Sequence, residues 1–128
     1  VTMSLKQYIE DKKGLFILST ADDSGNVNAA VYSRPHMIDD KTLAIIMNNK
    51  TTHRNVGKNS RAHLLFIEDG PGYKGKRLTI NKIREEQDSD LLYELCRRCA
   101  GDEPNLDGKT RFLVFFSVED ERPLIGDK

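Results

Sequence analysis

The sequence has 128 residues, of which 38% are hydrophobic, and this length is typical of one domain with one modest core. Twenty basic residues balance twenty acidic ones, so the formal net charge is zero at pH 7. A neutral chain lacks the positive excess that binds nucleic acid or an anionic membrane, so we expect neither as a partner. We therefore expect a single domain, residues 1–128, in which any anion site is local.

No stretch reaches the ~20 consecutive apolar residues that a membrane-spanning helix needs. The first residues also lack the basic and then apolar order of a signal peptide. These two observations predict a cytoplasmic protein.

The first half of the chain predicts one helix and three strands. Ser4 and Gln7 fit a capping box at the start of a short amphipathic helix. The β-rich run LFILSTA, residues 15–21, stops at the turn formers DDSGN and resumes as VNAAVYSRPHMI, residues 27–38, which predicts a hairpin. TLAIIMNN, residues 42–49, is apolar on both faces and predicts the third strand.

The second half predicts three more strands and a helix. The segments RAHLLFIED, residues 61–69, and KRLTINKI, residues 76–83, predict a hairpin joined by GPGYKG, and RFLVFFSVED, residues 111–120, alternates as a last strand. Between the last two strands, acidic residues from Glu85 to Asp90 precede an apolar stripe, which predicts a helix that begins near them. Six strands with peripheral helices predict an antiparallel β-barrel.

Cys96 and Cys99 form a C-x-x-C motif. Such a pair is redox-active in some proteins, but these cysteines belong to the apolar stripe of the predicted helix, so packing is the favoured role. A structural zinc site needs about four ligands, and the chain has no second cysteine pair. We therefore expect no metal site.

The polar segment between the third and fourth strands predicts an anion site. A short helix that begins near Thr51 would present unpaired backbone N–H groups and two hydroxyls, and Lys50 and Arg54 would add positive charge. The alternative is that Thr51 or Thr52 only caps a turn while the cations are solvated. The segment alone does not decide between the two interpretations. His53 could either contact the anion or be structural, and His63, on a strand, is expected to be structural.

Three stretches taken together, VYSRPHMIDD, the polar segment with RNVGKNSRAHLLF, and GPGYKGKRL, resemble the pyridoxamine 5'-phosphate oxidase-like family of FMN-binding split β-barrels. The resemblance covers residues 4–125 and implies a mainly β (α+β) fold, a six-stranded antiparallel split β-barrel with peripheral helices. It implies a homodimer with FMN at the subunit interface. Ala30, Val31, Tyr32, Ser33 and Arg34 would line the flavin ring and ribityl chain, and Lys50, Thr51, Thr52 and Arg54 would hold the phosphate.

The resemblance also implies an oxidoreductase that transfers hydride or electrons to or from an unidentified small molecule. The sequence contains no recognisable catalytic triad, Walker loop or paired carboxylate site, so we assign no catalytic side chain. In flavoproteins the cofactor carries the chemistry while the protein binds and orients it. The alternatives are a non-enzymatic electron carrier, a barrel that holds haem or another planar ligand, and an interaction module without a cofactor.

Overall fold

The computed structural model describes residues 3–96 and 110–126, and these form three helices and seven strands. In chain order they are α1 (Leu5–Asp11), β1 (Gly14–Ala21), β2 (Val27–Tyr32), β3 (His36–Met37), β4 (Thr42–Asn48), α2 (Thr51–Lys58), β5 (Arg61–Glu68), β6 (Gly75–Gln87), α3 (Asp90–Leu95) and β7 (Arg111–Pro123).

All seven strands belong to one antiparallel sheet in the order β2-β1-β5-β6-β7-β4-β3. The two predicted hairpins, β1 with β2 and β5 with β6, are confirmed by their registers. The inward side chains of six strands meet in one core, so the sheet is curled into an incomplete barrel with β2 at one edge and β3 at the other. This core includes Phe16, Leu18, Leu43, Met47, Leu64, Phe66, Leu78, Ile80, Val114 and Phe116.

The segment that we predicted as one strand over residues 27–38 is two strands. β2 pairs with β1, whereas β3 pairs with β4 at the opposite edge, and Ser33, Arg34 and Pro35 connect them. Proline has no backbone N–H to donate to a sheet, and its ring fixes its own φ angle. The sheet therefore has seven strands where six were predicted.

The helices cover two surfaces of the sheet. The Ser4 hydroxyl caps α1 by accepting a hydrogen bond from the Gln7 N–H, and Leu5 and Ile9 of this helix enter the main core. α3 packs Leu92 against the outer faces of β4 and β7, where it meets Ala44 and Phe115 in a second, smaller cluster. Among the described residues, no helix is long and apolar enough to cross a membrane.

The predicted start of the third helix is wrong. Glu85 and Glu86 lie in β6, because the pairing of β6 with β7 continues as far as Gln87 opposite Phe112. α3 begins only at Asp90, with the Ser89 hydroxyl accepting a hydrogen bond from the Leu92 N–H as its cap. The predicted continuation through Cys99 and the loop GDEPNLDGK lie outside the described residues.

Candidate functional site

A cleft of about 730 Å³ opens where the two edges of the sheet face each other. β2 and the residues that follow it supply one wall, and β3 and β4 supply the other. The first turn of α2 lies at one end of the cleft, together with the first residue of β7. The lining residues are Asn28, Ala30, Val31, Tyr32, Ser33, Arg34, His36, Ile45, Ile46, Asn48, Lys50, Thr51, Thr52, Cys96 and Arg111.

The structure brings together eight of the nine residues that the resemblance implied for a cofactor site. Two separate stretches of sequence, residues 30–34 and 50–52, meet around the same cleft. Arg54 is absent from the lining, but its Nη2 donates a hydrogen bond to Thr51 Oγ1 at 3.2 Å, so it lies beside the lining. The chain brings the two stretches together because α2 follows β4 directly and packs against β1 and β2.

The first turn of α2 has the features of an anion-binding helix start. Lys50 is the N-cap residue and makes no side-chain capping bond, and the first turn contains no acidic residue. Unpaired backbone N–H groups at a helix start attract anions, and the helix dipole adds to this attraction. The exposed Thr51 adds a hydroxyl group at the same place.

Thr51 and Thr52 have different surroundings. The side chain of Thr52 is buried at 5% exposure, and its Oγ1 accepts a hydrogen bond from Asn28 Nδ2 at 3.5 Å. One turn further along α2, the buried Asn55 donates from Nδ2 to Thr20 Oγ1 at 3.0 Å. These contacts attach α2 to the polar end of the barrel interior.

Tyr32 lies on the β2 wall beside Thr52. Burial raises the pKa of the Tyr32 phenol, and a hydrogen bond with Thr52 acts in the opposite direction but is the smaller effect. The phenol is therefore neutral at physiological pH. It gives the cleft a hydroxyl next to an aromatic surface.

Arg34 extends from the cleft wall to the end of α1. Its Nη1 donates to the carbonyl oxygen of Glu10 at 3.1 Å, and its Nη2 donates to the carbonyl oxygen of Lys12 at 2.9 Å. A guanidinium that binds the last carbonyls of a helix is favoured by the helix dipole. Two of the Arg34 donors therefore hold the β2–β3 connection against α1.

The three histidines are in separate places. His36 lines the cleft from β3, whereas His53 turns away from it towards β6, and His63 lies on β5. Burial lowers the pKa of His63. In the part of the chain that the structure describes, no group of three His, Cys, Asp or Glu side chains could hold a metal ion.

Seven lining residues were not predicted from the sequence. Asn28 belongs to the same face of β2 as Ala30 and Tyr32, so the two-residue period of a strand could have identified it. Asn48 and Arg111 meet only because β4 pairs with β7, and no local pattern reports that pairing. The remaining residues are His36, Ile45, Ile46 and Cys96. Cys99 lies outside the described residues, so the role of the cysteine pair stays a prediction.

Several solved structures have the same fold. An FMN-binding protein from Syntrophomonas wolfei superposes with a TM-score of 0.73 at 17% identity, over 98% of this chain and 86% of that one. An F420 reductase gives a TM-score of 0.73 at 15% identity, over 94% and 98%. A candidate pyridoxamine 5'-phosphate oxidase from Lactobacillus delbrueckii gives 0.69 at 18% identity, over 94% and 92%.

This chain is a split β-barrel. The fold implied by the sequence resemblance is thereby confirmed, and at identities of 15 to 18% the structural likeness establishes the fold alone. The sequence matches no protein-family model and no curated protein. The function of the split barrel therefore has to be argued from its cleft.

Proposed function

We propose that this split barrel binds FMN in the cleft and is an oxidoreductase that transfers hydride or electrons to or from a small molecule. The observation that carries the proposal is the meeting of two distant sequence stretches, residues 30–34 and 50–52, around one cleft of about 730 Å³. That volume lies within the ~300–1,000 Å³ common for small-molecule sites. Structural neighbours that include an FMN-binding protein and an F420 reductase support the same class of ligand.

The residues present fit the parts of FMN. Lys50, Thr51 and Arg54 would hold the phosphate, because they surround a helix start without acidic residues. Thr52 would support them from behind, since its hydroxyl already contacts Asn28. The strand wall would hold the ring and ribityl chain through Ala30, Val31, Tyr32, Ser33 and Arg34.

Bound FMN would supply the electron chemistry, and the protein would bind, orient and shield it. Tyr32 offers a neutral phenol to the cleft, and Ile45 and Ile46 on the opposite wall offer apolar surface. Cofactor sites commonly combine apolar surface with polar groups that fix the orientation of the ligand. We assign no catalytic side chain.

We propose further that the working form is a homodimer. Val27 and Val31 are 83% and 66% exposed, and Leu15 on the neighbouring strand is 44% exposed. The register places all three on the outer face of the β1–β2 hairpin. Val31 also borders the cleft, so a second copy on this face would lie beside the proposed FMN.

The decisive experiment is to purify the protein without added cofactor and to identify the released ligand by absorbance and mass spectrometry. Flavin absorbance bands and the mass of FMN are the expected result. A Soret band would instead indicate haem, and a protein that contains no chromophore and does not take up added FMN would contradict the proposal. If FMN is present, substrate turnover then separates an enzyme from an electron carrier.

A further inference from the structure

His53 occupies the first turn of α2 but turns away from the cleft. Its Nε2 lies 3.0 Å from Glu85 Oε1 on β6, and its ring stacks on Phe112 of β7 with 3.7 Å between ring centroids. The side chain is 15% exposed. His53 therefore connects the start of α2 to β6 and β7.

This tie is needed because the start of α2 has little local support. Lysine is an unfavourable N-cap residue, since it cannot accept a hydrogen bond and its charge opposes the helix dipole. An eight-residue helix is also too short to be stable alone. Tertiary contacts made by Thr52 and His53 must therefore fix the direction in which the first N–H groups point.

The same cluster places a carboxylate behind the proposed phosphate site. Glu85 also accepts a hydrogen bond from Lys82 Nζ at 2.6 Å. Burial alone would raise the pKa of Glu85, but the bonds from Lys82 and His53 outweigh burial and lower that pKa. Glu85 is therefore a carboxylate at physiological pH, and Lys82 offsets its charge.

We propose that His53 and Glu85 position the first turn of α2, that Lys82 offsets the charge of Glu85, and that the three residues thereby set the selectivity of the cleft for FMN over riboflavin. The inference rests on the proposed function, because it assumes that the phosphate of FMN lies at this turn. The ring of the flavin would contact β2, β3 and β4 instead, so a fault in the cluster weakens phosphate binding and leaves ring binding in place.

The first test compares dissociation constants for FMN and riboflavin in His53→Phe and His53→Gln. Phenylalanine keeps a ring against Phe112 but has no N–H for Glu85, so we expect FMN affinity to fall about tenfold and riboflavin affinity to change less than about twofold. Glutamine retains an N–H donor, and we expect it to restore most of the FMN affinity. Equal losses for the two ligands in His53→Phe would overturn the inference.

The second test changes the charge of the cluster and leaves the His53 side chain in place. Lys82→Met leaves the Glu85 carboxylate without its lysine partner, so we expect FMN affinity to fall about fivefold at low salt and less at high salt. Lys58→Met makes the same charge change at the exposed last turn of α2, and we expect less than a twofold effect. If His53 bound the phosphate directly, Lys82→Met would leave the ratio of the FMN and riboflavin dissociation constants unchanged. That result would overturn the inference.

Glu85→Gln changes almost no volume, so it keeps the inference testable if His53→Phe or Lys82→Met does not fold. It keeps an oxygen acceptor for His53 and removes the negative charge, so FMN should bind about twofold to threefold more tightly while riboflavin is unaffected. Weaker FMN binding in this variant would overturn the inference. A wild-type protein that binds both ligands equally, or neither, would defeat the proposed phosphate site and the inference with it. Wild-type selectivity that persists in His53→Phe and Lys82→Met would defeat the inference alone.

Discussion

Thr51 and Thr52 are adjacent residues of the same type that lie in different surroundings. Thr51 is exposed at the start of α2, and Thr52 is buried against Asn28. We predict that Thr51→Ala weakens FMN binding by about one to two decades and leaves riboflavin binding unchanged, because a hydrogen bond to a charged group is worth roughly 1.5 to 3 kcal/mol. Titration of both ligands measures this, and equal effects on the two would show that the phosphate lies elsewhere.

For Thr52→Ala we predict lower stability of the ligand-free protein. The substitution removes a buried hydroxyl that accepts from Asn28 and leaves a small void, which together cost about 1 to 2 kcal/mol. Chemical denaturation of the apo protein measures the free energy of unfolding, with Thr51→Ala as the matched control. A larger stability loss in Thr51→Ala than in Thr52→Ala would contradict this division.

The candidate site was predictable where neighbouring residues carry its chemistry. Lys50, Thr51 and Arg54 share one helical turn, so their combination was visible in the sequence. The direction of His53 was not visible, because Glu85 is 32 residues away and was expected to belong to a helix. Arg111 could not be assigned for a similar reason, since its place depends on long-range pairing with Asn48.

Helix α2 is the element on which the proposed site depends, and its eight residues are too few for a helix that is stable alone. Gly57 lies in its last turn, where an added Cβ would meet no atom within 4 Å. We predict that Gly57→Ala stabilises the protein by roughly 0.5 to 1 kcal/mol, because alanine has the higher helix propensity.

Gly14 provides the matched comparison for this prediction. A Cβ on this residue would lie 2.1 Å from the carbonyl oxygen of Ile67 on the paired strand, so Gly14→Ala should destabilise the protein by about 1 to 3 kcal/mol. Thermal and urea unfolding of the two variants should therefore shift in opposite directions. Two shifts of the same sign would contradict the packing around these glycines.

The contact between α2 and β6 also predicts a dependence of stability on acid. The pKa of Glu85 is lowered below its ordinary value of 4.5 in the folded state, so below pH 4.5 the unfolded state binds more protons. This contribution to stability is present above pH 4.5 and is lost as the pH falls through the folded-state pKa. In urea titrations between pH 6 and pH 3, we expect Glu85→Gln to show a shallower loss of stability than the wild type.

The strands that carry an apolar pattern in their own sequence were predictable. The hairpins β1–β2 and β5–β6 have turn formers between apolar runs, and both were predicted from the sequence. The extension of β6 to Gln87 was not predicted, because residues 84–87 are all polar and are held in the strand by backbone pairing with β7, which no apolar pattern indicates. The division of residues 27–38 depends on two different partners, which the sequence of one segment cannot show.

At the scale of the whole molecule, the outer face of the β1–β2 hairpin predicts self-association. We expect light scattering at micromolar concentration to give twice the 14.5 kDa mass of one chain. Val27→Lys should shift the protein towards the monomer, because it places a charge on the apolar outer face of the hairpin. Ile83→Lys makes the same change at an exposed aliphatic residue of a different strand, 53% exposed on β6, and should leave the mass unchanged. A wild-type monomer would contradict the proposed dimer.

The short connection between β2 and β3 limits how far the barrel can open. Only Ser33, Arg34 and Pro35 separate Tyr32 at one edge of the sheet from His36 at the other. Four Cα–Cα steps span at most about 14 Å, so at this end the distance between the two edges cannot exceed that value. The connection therefore sets a maximum width for any ligand that lies between the edges at this end. A ligand wider than this limit could lie between the edges at this end only if the pairing of β2 with β1 or of β3 with β4 were broken.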